Sequence, residues 1–127
     1  MEEGIQFWSD TFGYRQYTHP VLNKLQKVKV VFLKKENSIT IKIIEPTEEN
    51  APLRMAVSQG DRFHHLCFKC DEIHEGVRQL KDKGLRLLVP PQPGEAFGNN
   101  LIAFLLAGQN INIELIDTNI KAETVHP

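Results

Sequence analysis

VFLKKENSITIKIIE, Val31 to Glu45, lies without a gap on AFLLAGQNINIELID, Ala103 to Asp117. Phe32 falls on Phe104, Leu33 on Leu105, Ile39 on Ile111, Ile41 on Ile113 and Ile44 on Ile116. Each stretch reads as a hairpin, two β-branched runs joined by a short polar turn. Within SITIKIIEP the alternation of a half-buried strand puts Ile39, Ile41 and Ile43 on one face and Thr40, Lys42 and Ile44 on the other. Lys42 is the odd member, and in the overlay it falls on Glu114. Self-similarity at a fixed spacing points to a chain built from two copies of one module.

Working outward, Glu2 to Phe12 carries Ile5, Trp8 and Phe12 at helical spacing, expected as core, with Gly13 as the stop. A weak strand is expected near Gln16 to His19, then strands over Val28–Leu33 and Ser38–Glu45. Pro46 to Ser58 reads as a linker with a short helical turn. Arg62 to Cys70 reads as a strand, and Asp71 as the cap of a helix through about Lys83 with Ile73, Val77 and Leu80 on one face. A short strand over Leu85–Val89, the loop PPQPGEAFGNN, and the hairpin Leu101–Leu106 with Asn110–Asp117 complete the second copy. The order there is β-α-β-β-β. The first copy has nothing to match RFHHLCFKC, so it reads as lacking its first strand. The expected organisation is one domain over 1–127, with module one about 1–58, module two about 61–117 and a flexible tail over 118–127.

Formal net charge is −1 and no basic run is present, so neither nucleic acid nor an anionic membrane is an expected partner. No apolar stretch reaches the length of a membrane span and no signal peptide opens the sequence, so a cytoplasmic location is expected. Cys67 and Cys70 form a C-x-x-C inside an apolar run. In a strand, i and i+3 point to opposite faces, so reduced, buried thiols are expected rather than a redox or zinc pair.

His65 and Glu114 lie on strands of the same module. If those strands are neighbours, imidazole and carboxylate share a cleft, a combination suited to zinc, nickel, cobalt, iron or manganese. A symmetric repeat would add a His and a carboxylate from the first module, where Lys42 stands instead. An ammonium donates and has no lone pair to ligate. His64 is adjacent to His65, so strand alternation turns only one of them inward. His19 and His74 read as surface residues and His126 as part of the tail.

GDRFHHLCFKCDEIHEGVRQLKDKGLRLL, KVKVVFLKKENSITIKIIEP and AFGNNLIAFLLAGQNINIELID together resemble the vicinal oxygen chelate superfamily, that of glyoxalase I and the bleomycin-resistance proteins, and within it the methylmalonyl-CoA epimerase-like branch. The resemblance implies an α+β fold of paired βαβββ modules around a cleft that holds one divalent metal. It implies metal ligands at His65 and Glu114, and a catalytic role for Glu114. It places Lys42 where a Glu or Gln ligand is usual. The loop over 90–100 would border a small-molecule ligand, which brings in Phe97 and Asn99 beside Lys42. The implied function is an epimerase, isomerase or lyase on a small oxygenated or CoA-linked substrate. The alternative is a metal-free binding protein of the resistance type, in which Lys42 pairs with Glu114 or with an anionic ligand; a third reading is a relic of the fold with no cleft function. The absent strand is explained by upstream sequence carrying it, or by a partner chain. The exposed SITIKIIE edge would then template a homodimer.

Overall fold

The computed structural model describes residues 1–125. The described chain forms two compact units, one of Met1–Gln59 with residues 121–125, the other of Gly60–Ile120. The first contains α1 (Glu2–Phe12), β1 (Arg15–Gln16), β2 (Val21–Asn23), β3 (Val28–Lys34), β4 (Ile41–Pro46) and α2 (Ala51–Ser58). The second contains β5 (Leu66–Lys69), α3 (Ile73–Asp82), β6 (Arg86–Gly94), a 3-10 turn (Glu95–Phe97), β7 (Asn100–Leu106) and β8 (Asn112–Ile116).

In the first unit β3 is central. β1 and β2 pair with its two ends and β4 along its length, all antiparallel. Between β1 and β2 the ladder is interrupted at Thr18, whose buried Oγ1 accepts from the Phe32 N–H at 3.0 Å in place of a strand partner. The tail, expected to be loose, is tied down here. His19 N–H donates to the Glu123 carbonyl, Val125 N–H to the Tyr17 carbonyl, and Thr18 pairs with Thr124. These are backbone bonds, which no side-chain pattern announces. α1 ends at Gly13 in the left-handed conformation, as expected. Its Trp8 and Phe12, expected as core, are not buried. Phe7, Trp8 and Phe12 instead pack on one another, with centroids 5.3 to 6.0 Å apart, and the helix meets β4 through Gly4 against Ile43. α2 is a full helix rather than a turn in a linker. Asn50 caps it by accepting from Leu53 N–H, and Pro52 fits its first turn.

In the second unit the order is β5-β8-β7-β6, with β5 parallel to β8 and the other pairs antiparallel. α3 covers one face, where Ile73 and Val77 pack on Ala103, Leu105 and Leu115. Glu72, not Asp71, caps α3. The strand expected from Arg62 begins only at Leu66. The Pro/Gly stretch expected as a loop is largely strand: β6 runs through Pro90, Pro91 and Pro93. Proline is tolerated there because β6 is an edge that, among the described residues, pairs only with β7, with register shifts on either side of Val89.

The repeat is carried by hydrogen-bond register. Val31 pairs with Ile43, Phe32 with Lys42 and Leu33 with Ile41; Ala103 pairs with Leu115, Phe104 with Glu114 and Leu105 with Ile113. The helix starts match as well. The Met1 amine lies 3.8 Å from Glu45 Oε2, and the Ile73 N–H donates to Asp117 Oδ2 at 2.9 Å. Gly4 faces Ile43 as Gly76 faces Leu115. One difference stands out. β8 carries β5 on its outer edge, whereas among the described residues β4 pairs only with β3.

Candidate functional site

In the alternation of β8, Ile113 and Leu115 face α3 and Glu114 faces the other side of the sheet, beside Phe104 of β7. Glu114 is fully buried. His65, immediately before β5, brings Nε2 to 3.1 Å from Glu114 Oε1, with side-chain exposures of 7% and 0%. The His65 ring stands edge-on to Phe104 with centroids 5.3 Å apart. The structure thus joins the two residues that the sequence offered as a pair.

A third residue joins them. His64 Nδ1 lies 2.7 Å from His65 Nδ1, and the His64 carbonyl accepts from Asn112 Nδ2 at 3.3 Å. Sequence reasoning discounted His64 because it assumed a strand through both histidines. The strand starts one residue later, so alternation does not apply. Where Glu114 is the acceptor, His65 donates from Nε2–H, its Nδ1 accepts and His64 donates from Nδ1–H; the opposite tautomers reverse each step. Such a Glu–His–His chain can hold or pass a proton across its length.

The resemblance implies a metal, and the donor chemistry tests that for this chain. His65 Nε2 and Glu114 Oε1 are suitable ligands, and metal sites take three or four. Among the described residues no group of three or more His, Cys, Asp or Glu side chains is arranged to hold a metal ion. At the repeat position of Glu114 stands Lys42, half-buried and paired across the ladder with Phe32, its Nζ 6.0 Å from that ring's centroid. The described donors are therefore an incomplete metal set.

Phe97 is buried in the 3-10 turn, and Asn99 sits in the exposed turn after it at φ 65°. A cavity of about 400 Å³ opens on the α3 face of the second unit, lined by Phe68, Cys70, Leu80, Leu85, Ile113 and Leu115. It lies across the sheet from Glu114, and its lining is mainly apolar, with Lys69 and Gln79 as polar members. Cys67 is exposed and Cys70 half-buried, which corrects the expectation of two buried thiols; no disulfide links them. Burial pushes the Cys70 thiol pKa up, and the nearby Asp117 carboxylate adds to that. His19 and His74 are exposed as expected, and His126 lies outside the described residues.

No helix among the described residues is long and apolar enough to cross a membrane. The model of the Glyoxalase/Bleomycin resistance protein/Dioxygenase superfamily matches residues 1–104. A mitochondrial methylmalonyl-CoA epimerase of Dictyostelium discoideum is 24% identical over 123 residues, 95% of this chain and 72% of that protein. Among solved structures, a hypothetical protein from Bacillus halodurans superposes with a TM-score of 0.79 at 22% identity, covering 97% of this chain and 89% of that one. The methylmalonyl-CoA epimerase of Mycobacterium tuberculosis gives 0.76 at 21% identity, covering 91% and 79%. With the repeated module on the page and the family model spanning most of the chain, this protein belongs to the glyoxalase/bleomycin resistance/dioxygenase superfamily.

Proposed function

We propose that the protein is a proton-transfer enzyme of the epimerase type, acting on a small oxygenated or CoA-linked acyl substrate. The buried His65–Glu114 pair carries the reading. Moving a proton to and from a carbon beside a carbonyl needs a group held in fixed geometry, shielded from water and able to exchange one proton. Glu114 is sealed in the sheet and fixes the His65 ring, and His65 in turn fixes His64. The base takes the α-proton, the C–H electron pair moves into the carbonyl as an enolate, and the proton returns to either face of the carbon. The similarity to proteins named methylmalonyl-CoA epimerase supports this substrate class.

The test is deuterium exchange. Methylmalonyl-CoA is incubated with the protein in D2O and loss of its α-proton signal is followed by NMR. It is run before and after loading with nickel, cobalt or zinc, with metal content measured in parallel. Exchange that falls by about 10²- to 10⁴-fold in Glu114→Gln and His65→Ala supports the reading. No exchange in any metal state overturns it. A second reading then stands, favoured by the ammonium of Lys42 at the repeat position of Glu114: a metal-free protein that binds an anionic organic ligand without turning it over. Calorimetric titration with the CoA ester, and its loss in Lys42→Ala, would show that.

A further inference from the structure

We infer that the sheet face of the first unit turned away from α1 holds a phosphate-binding subsite, in which Lys42 and Lys121 grip the phosphates of a CoA-type ligand. The face is set by register. Phe32 lies opposite Lys42, and Lys34 lies opposite Arg15; residues opposed across a ladder share a face. Phe32 and Lys34 are two apart on β3, so all four side chains lie on one face. Ile43 points the other way, onto Gly4 of α1. Glu45, the one acid of β4, shares the face of Ile43 and lies 3.8 Å from the Met1 amine. Its charge is thus turned away from the lysines.

The tail adds a further cation. His19 N–H donates to the Glu123 carbonyl and Val125 N–H to the Tyr17 carbonyl, and this tie sets Lys121 over the Phe32 ring. Its Nζ lies 5.1 Å from that ring's centroid, and the Lys42 Nζ lies 6.0 Å from it. Beside them the Lys34 Nζ sits 3.9 Å from the centroid of Tyr17. An aromatic face attracts an ammonium through its quadrupole and leaves the N–H donors to other partners. Each ammonium carries three donors, so it takes an oxyanion in addition to its contacts within the chain. Lys42 and Lys121 are both half-buried, where charge is screened less than at the open surface. The two ring distances keep their Nζ atoms within about 11 Å of each other, a gap that a diphosphate spans with a donor bond of about 2.8 Å at each end. Gathered ammoniums repel one another, and an anion of two or more charges offsets that repulsion further than a lone carboxylate does. The CoA-linked class rests on the proposed function; the cationic face is read from this chain's own residues.

Calorimetric titration at low and high salt tests it, with CoA, with inorganic pyrophosphate, and with pantetheine, which lacks the phosphates. CoA and pyrophosphate should bind, and pantetheine should bind at least about tenfold more weakly than CoA. Lys42→Met and Lys121→Met keep a stem on the Phe32 ring and remove the charge. Each should weaken CoA on the order of tenfold and flatten the salt dependence, with an unchanged circular dichroism spectrum. Lys29→Met, on the α1 face of the same strand, should leave the affinity as it is. CoA held through the two lysines by a protein that exchanges no α-proton supports the subsite while the proposed activity falls. The inference is overturned if neither CoA nor pyrophosphate binds, or if pyrophosphate binds and CoA does not. It is also overturned if pantetheine binds as tightly as CoA, if either Lys42→Met or Lys121→Met leaves CoA affinity unchanged, or if Lys29→Met weakens it as much as they do.

Discussion

If the candidate site is held by a charge-assisted bond, the cost of neutralising Glu114 must change sign when its imidazole is removed. His65→Ala deletes a 3.1 Å bond to a carboxylate with 0% side-chain exposure, together with the edge-on contact to Phe104. A hydrogen bond to a charged group contributes about 1.5–3 kcal/mol, and truncating a buried ring leaves a cavity that adds roughly 1–2 kcal/mol. The variant should lose about 3–4 kcal/mol. Glu114→Gln keeps shape and still accepts from His65 Nε2–H, so its cost in the native background stays within about 1 kcal/mol. In the His65→Ala background the carboxylate has lost its imidazole, and the same neutralisation should stabilise by about 1–2 kcal/mol. Urea denaturation followed by circular dichroism gives the four free energies, provided the slopes agree. If Glu114→Gln costs the same in both backgrounds, the two side chains are not coupled and the site reading fails.

Four other outcomes follow from packing and burial. Gly76→Ala places a methyl 2.7 Å from Cys70 Sγ and 2.9 Å from Leu115 Cδ2; overpacking of about 1–3 kcal/mol outweighs the helix gain of about 1 kcal/mol, so melting temperature falls. Its repeat-mate Gly4→Ala meets the far end of the Ile43 side chain, Cδ1 at 3.1 Å, and should melt within a degree or two of the parent or above it. Thr18→Val leaves the Phe32 N–H without its 3.0 Å acceptor at a buried site and should cost about 1–3 kcal/mol in chemical denaturation. The Cys70 thiol pKa is raised by burial, so as pH climbs the unfolded chain ionises first and draws the equilibrium towards itself. The urea midpoint of the parent should therefore drop more steeply than that of Cys70→Ala above the ordinary thiol range; parallel profiles would contradict the cause given.

What the sequence made legible is what repeats. Phe32 over Phe104 and Ile41 over Ile113 made the two hairpins legible, because two copies of an alternating pattern reinforce a signal that either carries weakly. Single-copy features were read less well. β6 was hidden because proline argues against a strand, and only the sheet order shows that this strand is an edge where proline is allowed. The tail was misread because its ties to Tyr17 and His19 are backbone bonds. At the site, His65 and Glu114 were found by face and neighbourhood, while His64 was lost to a strand boundary drawn a few residues too early. Boundaries are where periodicity is weakest, and here the boundary carries the chemistry.

The two copies keep different things. Helix start, glycine contact and ladder register agree at positions 1, 4, 31–33 and 41–45 and their mates 72 residues on, because each is a packing requirement that any working copy must meet. Position 42 and its mate 114 share the ladder and the aromatic neighbour, yet one is an ammonium and the other a carboxylate. Neither is needed to form the strand, since both sit among isoleucines and leucines that already do so. A polar residue the fold does not require, fully buried at 114 and half-buried at 42, has its identity set by chemistry rather than by packing. That makes position 42 the one to exchange. If Lys42→Leu folds as before and stays within about 1 kcal/mol of the parent in urea, packing leaves the choice of residue at 42 open; a loss of several kcal/mol would show that the ammonium is structural and refute the reasoning.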